Sequence, residues 1–420
     1  MKSFLSFRSA TCPAFAAAFL VAAIVPALAQ NNVTLENLKL PAGASKSELS
    51  LARVDVVNTN LSRDEVARFF SSDLKSADAL GLAARMSADK ITIRGAGLAG
   101  DEAELTFGVF TAEGLNKGRF RKATLDGFTG AFKDAGKPVG SVVSKAIELE
   151  NGNLGPLIAA AQANDLEGAA LQLGRFSWAG FEASFADADV QANAPGGNLV
   201  KVSLAALNGV TEYDGDIPRK ASGEARGLVI EPPKASGFAM GLKAFGYDKL
   251  EFGFTGSARY DSAARVLVLE DYTLSGVNAG KLGMAGTFTN IAPELLTEQD
   301  MAKKAAAGLD VGIAEIKAKF VNDGLVEKGI AFAAAQQGKS PAAFKAETAA
   351  MSAQLLPLLL GGDPSALALA QSVQSFINDP RSFNLTLKAR GVPLPAARLA
   401  EINDPAKFLA LVDVTLKANQ

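Results

Sequence analysis

The sequence predicts an α+β protein: an extended antiparallel β-meander sheet with inserted helices and a helix-rich C-terminal third that closes with a strand. Three observations carry this. The dominant apolar period from residue 30 to about residue 290 is two, the spacing of a half-buried strand. After Asn290 the spacing becomes helical, and the last seven apolar-alternating residues, Val412 to Ala418, again have the period and β-propensity of a strand. Twenty-five phenylalanines against one tryptophan and four tyrosines suit a large sheet buried on at least one face.

The chain is expected to begin with a secretory signal. Lys2 and Arg8 form a positive n-region, Ala14 to Val25 an uncharged apolar run, and Pro26-Ala27-Leu28-Ala29 a small-x-small cleavage site. Cleavage between Ala29 and Gln30 leaves 420 − 29 = 391 residues, a periplasmic or secreted chain. An uncleaved anchor is the alternative, since the uncharged stretch from Ser9 is long enough to span. Cys12 precedes the apolar run, where a lipoprotein acylation cysteine would follow it. Beyond the signal, residues 30–290 read as a β-rich region with loose meander repeats. Residues 291–420 read as a helix-rich region with returning strands packed on the same sheet.

Composition excludes much. The chain has no histidine, and its one cysteine is Cys12. A Ser-His-Asp triad, His-ligated zinc, a thiol nucleophile and an intramolecular disulfide are therefore all closed to the mature chain. Removing Lys2 and Arg8 leaves 40 basic against 44 acidic residues, which gives no whole-chain affinity for nucleic acid. No segment after the signal is apolar over a membrane-spanning length, so the mature form is expected to be soluble and not membrane-spanning.

The β region is clearest at Lys249 to Tyr260, where Leu250, Phe252, Phe254, Gly256, Ala258 and Tyr260 alternate with polar residues. Asp261 to Ala264 is a turn, Arg265 to Leu274 a second strand, Gly276 to Gly280 another turn, and Lys281 to Phe288 a third strand. The related pentapeptides Thr124–Phe128, Ala206–Val210 and Thr273–Val277 suggest a repeat, with Gly127, Gly209 and Gly276 at equivalent strand ends. Ser62-Arg63-Asp64-Glu65 has capping-box spacing before Val66, Phe69, Phe70 and Leu74. Leu157 to Ala163 is a second short helix. Val311 to Val321 alternates as a strand, and Asp323-Gly324, Ser340-Pro341 and Asp363-Pro364 each start a helix. Ile377-Asn378-Asp379-Pro380 and Ile402-Asn403-Asp404-Pro405 precede strands that share a Thr-Leu-Lys-Ala ending.

Several chemical motifs fail in context. Gly95-Ala96-Gly97-Leu98-Ala99-Gly100 fits a dinucleotide pattern, but Asp101 to Phe107 reads as turn and strand where a helix is needed, so a hairpin loop is expected. Gly276–Lys281 and Gly338-Lys339-Ser340 lack phosphate-loop spacing. Ser72/Lys75 and Ser87/Lys90 have Ser-x-x-Lys spacing without the partner elements of penicillin-binding enzymes. Asp187 with Asp189 and Asp214 with Asp216 read as surface and turn acids, the first pair on one solvated strand face. Lys117, Arg119 and Arg121 read as a charged edge strand; as a binding face in an exported protein they would suit lipid phosphates or acidic polymers. No catalytic, cofactor-binding or metal-binding residue is assigned.

The meander at Tyr247 to Asn290, with its Tyr-Asp turn and glycine-punctuated strand ends, resembles repeats of AsmA-like and YdgA-like envelope proteins of Gram-negative bacteria. Asp323-Gly324-Leu325 and the paired Asn-Asp-Pro segments are similar to uncharacterised exported proteins. The resemblance implies a periplasmic, non-catalytic role in envelope maintenance, with a lipid or an envelope protein as partner. The chain departs from AsmA-like proteins in its helical C-terminal third. Two function classes stay open: an exported binding protein with an apolar ligand or envelope partner, and a histidine-free hydrolase acting on peptidoglycan or polysaccharide through carboxylates. Protein recovered from the periplasm is expected to begin at Gln30 by intact mass; a membrane-bound species retaining residues 1–29 would make it an anchored protein.

Overall fold

The computed structural model describes residues 31–41, 47–71, 81–162, 171–191, 194, 197–297, 301–360, 362, 364–402 and 405–420. The expected cleavage site at Ala29 and Gln30 lies outside these residues, as do Ser72, Leu74, Lys75, Ala163, Asp363, Asn403 and Asp404. The fold is mostly antiparallel sheet with inserted helices, as the alternation predicts. It divides into two compact units, residues 1–188 with 199–210, and residues 189–198 with 211–420.

In the first unit, β1 (Asn31–Pro41), β2 (Glu48–Thr59) and β3 (Ser87–Ala99) form a meander. β3 then pairs along its length with two shorter strands, β4 (Ala103–Phe107) and β5 (Phe110–Asn116). The same division recurs in β6 (Arg119–Leu125) and β7 (Phe128–Asp134), β8 (Lys137–Ser144) and β9 (Ile147–Asn153), β10 (Gln172–Trp178) and β11 (Phe181–Ala186), and β12 (Leu199–Leu204) and β13 (Ala206–Asp214), of which residues 206–210 belong to this unit and 211–214 to the second. The breaks fall at one level, forming a seam. Backbone bonds still cross it: Gly108 N–H donates to Gly127 O (2.7 Å), and Lys145 N–H to Gly180 O (2.9 Å). At the seam Gly127 has φ +111°, and a Cβ there would lie 2.3 Å from Ser144 O, so only glycine fits.

Directly paired residues share a face, so one row of side chains runs across eight strands: Leu35, Val54, Ile93, Phe110, Leu125, Ile147, Trp178 and Leu207. Beneath it runs a second row, Val33, Val56, Ile91, Ala112, Ala123, Leu149 and Phe176. As far as Ile147 and Phe176 these rows form the main core, closed by Val66 of the helix Arg63–Phe69, by Phe70 at its C-terminal cap and by Ile158 of the helix Gly155–Gln162. The capping box at Ser62 is present: its hydroxyl accepts from Glu65 N–H, and the Glu65 carboxylate accepts from Ser62 N–H. Beyond the seam Leu98, Leu105, Val142 and Ala183 make a smaller core, and Leu49, Phe107 and Phe128 touch both clusters.

In the second unit the strand order follows the chain: β14 (Ile217–Glu231), β15 (Leu250–Asp261), β16 (Val266–Gly276), β17 (Gly280–Thr289), β18 (Gly312–Asn322) and β19 (Ser382–Ala389). After β20 (Leu394–Pro395) bridges to β18, the last strand, β21 (Val412–Ala418), pairs with β19. The Thr-Leu-Lys-Ala endings meet there: Thr386 faces Thr415 and Leu385 faces Leu416. Ser340 caps the helix Pro341–Leu359, with Pro341 in its first turn, and Gly324 begins the helix Leu325–Gln336 at φ +97°. The helix Pro364–Asn378 follows.

The repeat expectation fails. Of Gly127, Gly209 and Gly276, only Gly127 has positive φ. Gly127 lies in the seam, Gly209 inside β13, and Gly276 at the end of β16, so they are not equivalent. Gly152 is glycine for a different reason: a Cβ there would lie 2.0 Å from the ring of Phe120, which is buried. Gly152→Ala should therefore cost about 1–3 kcal/mol of overpacking, read as a lower denaturant midpoint with unchanged m-value.

Candidate functional site

The apolar face of the second sheet is the most distinctive surface of that unit. Register places Ala225, Phe254, Leu274, Leu282, Phe320, Phe383 and Ala418 in one row across seven strands. The adjacent row is Gly223, Gly256, Tyr272, Met284, Ala318, Leu385 and Leu416, and the next contains Leu269, Ile316, Leu387 and Val414. Phe252, Phe254, Phe288, Phe320 and Phe383 thus share a side, as the alternation at Lys249–Tyr260 predicts. The opposite side carries Thr255, Arg259, Thr273, Lys281, Lys319, Asn384 and Lys417 in matching positions.

Helices cover this face unevenly. At the β18–β19–β21 end, Phe376 from the helix Pro364–Asn378 packs edge-on against Phe383 (5.4 Å between centroids, 89°) and Phe320 (6.3 Å, 74°). Ser372 Oγ donates to Leu416 O at 2.8 Å. Over β15–β17 the described residues leave the face more open: Phe254 is 38% exposed, Leu274 48% and Met284 50%. The Phe254 and Tyr272 rings lie 5.7 Å apart over Gly256, whose missing side chain leaves them room. Both clusters of buried apolar residues belong to the first unit, although the second is as rich in apolar side chains.

One margin of the face is fixed by polar contacts. Tyr247 Oη donates to Asn278 O (2.9 Å), Lys328 Nζ donates to the same oxygen (3.1 Å) and sits 3.6 Å over the Tyr247 ring, and Phe245 stacks on Phe332 at 4.1 Å. These tie the helix Leu325–Gln336 to the β16–β17 turn. At the other margin Tyr260 is buried and its hydroxyl donates to Ile291 O (2.7 Å); burial pushes its phenol above the usual range.

The motif residues fall elsewhere. Gly95 to Ala99 is not the expected hairpin loop: it belongs to β3, paired with β2 and β4, and Gly95 has φ +61° opposite Ala52, whose Cβ a side chain at Gly95 would meet at 2.6 Å. Strand, not helix, follows it, so no helix N-terminus faces these glycines. Ser87 Oγ and Lys90 lie in β3, the lysine paired with Glu113 (3.3 Å). Lys117 is in the β5–β6 turn, and Arg119 and Arg121 lie on β6. That strand is not an edge, because β5 and β9 flank it. Arg121 pairs with Glu113 at 2.9 Å and Lys122 with Glu148 at 2.7 Å. Hydrogen bonds from Lys90 and Lys122 hold the Glu113 and Glu148 carboxyls below their usual range.

Asp187 and Asp189 occupy the turn after β11, which corrects their placement on a strand face. Asp214 ends β13, and Asp216 is in the following turn. Asp214 lines a cleft of about 440 Å3 with Glu212, Arg219, Lys220, Arg259 and Asp261, a site that sequence spacing did not single out as a whole. Among the described residues no three Asp, Glu, His or Cys side chains are placed to hold a metal ion.

A protein-family model described as "Uncharacterized protein" matches residues 273–419, from the middle of β16 to the end of β21. No curated protein matches the chain. The matched segment contains Leu274 and Met284 of the open face and Phe320, Phe376 and Phe383 of its covered end.

The uneven cover gives a testable contrast. Leu274→Ser and Met284→Ser should each change unfolding free energy by no more than about 0.5 kcal/mol, because half-exposed side chains lose little packing. Phe376→Ala should cost about 3 kcal/mol, as removal of a core aromatic does. Equal costs in chemical denaturation would mean the face is closed throughout.

Proposed function

We propose that this is an exported, non-catalytic binding protein that holds an apolar ligand, an acyl chain, against the open part of its C-terminal sheet. The observation that carries the reading is the half-exposed trio Phe254, Leu274 and Met284 on three adjacent strands, contiguous with Leu282 and Tyr272. Such a face is unfavourable in water at roughly 25 cal/mol per Å2, and covering it with hydrocarbon recovers that cost. An elongated, flat surface between a helical cover and a polar margin suits a chain-like ligand better than a compact one.

The composition supports the non-catalytic part, because histidine is absent and the only cysteine is Cys12. The export part rests on the signal read from Lys2 to Ala29. The hydrolase reading has the carboxylates of Glu212, Asp214 and Asp261 in its favour, in a cleft open to a polymer. That cleft offers Arg219, Lys220 and Arg259 in place of the apolar wall that raises an acid catalyst's pKa. The binding reading is therefore the better supported.

Native mass spectrometry of protein purified from the envelope fraction tests it. Adducts of lipid mass are expected on the wild type and should be lost in Phe254→Asp and Leu274→Asp. Absence of any adduct, together with release of soluble fragments from peptidoglycan that Asp214→Asn abolishes, would replace binding with hydrolysis.

A further inference from the structure

The helices Pro341–Leu359 and Pro364–Asn378 pack together as a hairpin whose joining end is unusually apolar for an exposed surface. Met351, Leu355, Leu358 and Leu359 follow one another at helical spacing on the outward side of the first helix, and Leu367 lies on the first turn of the second. Leu358 is 76% exposed and Leu359 63%, the former the highest exposure among the large apolar side chains of the described residues. Between Glu347 and Asp379 the sequence carries one charged residue, Asp363.

Part of the described backbone at this end is paired within the first helix. Leu360 N–H donates to Leu356 O (3.0 Å) and Gly362 N–H to Pro357 O (2.7 Å), while Ser352 Oγ donates to Ala349 O (2.9 Å).

We infer that this hairpin tip docks on a lipid bilayer, its leucines entering the boundary between head groups and acyl chains. The area decides between a bilayer and a second copy of the chain. The five exposed side chains present on the order of 500 Å2, below the ~800 Å2 per partner of a stable protein interface. A bilayer needs no matching surface. No described helix is long and apolar enough to cross a membrane, so the contact is shallow and reversible. This inference is independent of the ligand on the sheet.

Flotation with phosphatidylcholine vesicles tests it, since zwitterionic lipid removes charge attraction. The wild-type chain should float with the vesicles, and the double variant Leu358→Ser, Leu359→Ser should lose about tenfold in bound fraction while its thermal melt is unchanged. Phe254→Asp, which alters the sheet, should float like the wild type. In a Cys12→Ser background, a polarity-sensitive fluorophore on Leu358→Cys should shift to the blue when vesicles are added. Failure of the wild type to float, equal flotation of the double variant, or no spectral shift would overturn the proposal. So would a concentration-dependent dimer, without flotation, that Leu358→Ser, Leu359→Ser abolishes.

Discussion

Directly opposed residues in an antiparallel ladder point to the same side, and the chain's architecture follows from that constraint. Once Val54 is set against Ile93, the pairing of each next strand extends one apolar row as far as Leu207. A slip of one residue would turn an entire strand's apolar set into water, so each register is held by the burial of its neighbours. The seam obeys the same rule. Leu125 and Phe128 are three residues apart and would face opposite ways in a regular strand, yet Phe128 packs on the cluster that contains Leu125. The break at Asp126-Gly127, with Gly127 at φ +111°, turns the chain so that Phe128 reaches the cluster, and the register is unchanged across it: Leu125 pairs with Ile147 and Phe128 with Ser144.

The fold class was legible where one residue type had one physical reason to be present. Alternation at Lys249–Tyr260 gave β15 almost to the residue, because one side of that strand meets apolar neighbours and the other meets water. The capping box at Ser62 and the Ser340-Pro341 start were equally legible, since helix termini need those side chains locally. Glycine was ambiguous because it serves two ends here: left-handed φ at Gly127 and Gly95, and room for a ring at Gly152. A pentapeptide pattern cannot separate them, and the three-copy repeat dissolved for that reason. Asp126-Gly127 has the composition of a hairpin turn, but it lies within a continued strand pair, so the seam was invisible to local reading.

The candidate site was half legible. Alternation placed the phenylalanines on one side but could not say whether helices close over it, because the helices come from residues far along the chain. Phe376 reaches Phe383 across a neighbouring segment, yet no described element does the same for Leu274. The candidate cations illustrate the converse. Arg121 looked like part of a charged edge, and long-range pairing put its strand between two others, where it forms an ion pair with Glu113.

The order in which strands pair within each unit has a kinetic meaning. β1 meets β2, β2 meets β3, and from β14 to β19 every strand lies beside its predecessor in the chain. Loop closure is therefore cheap at most steps, and a polypeptide that emerges N-terminus first can add each strand to an edge already in place. The unpaired edge travels along the growing sheet instead of accumulating. Besides residues 290–311 before β18, two insertions interrupt that progress: the helical stretch of residues 323–381 before β19, and the 390–411 connection before β21. Until they dock, β18 presents open hydrogen-bonding groups beside Phe320, so the last third of the chain is where assembly is slowest and where a folding helper would have the most to shield.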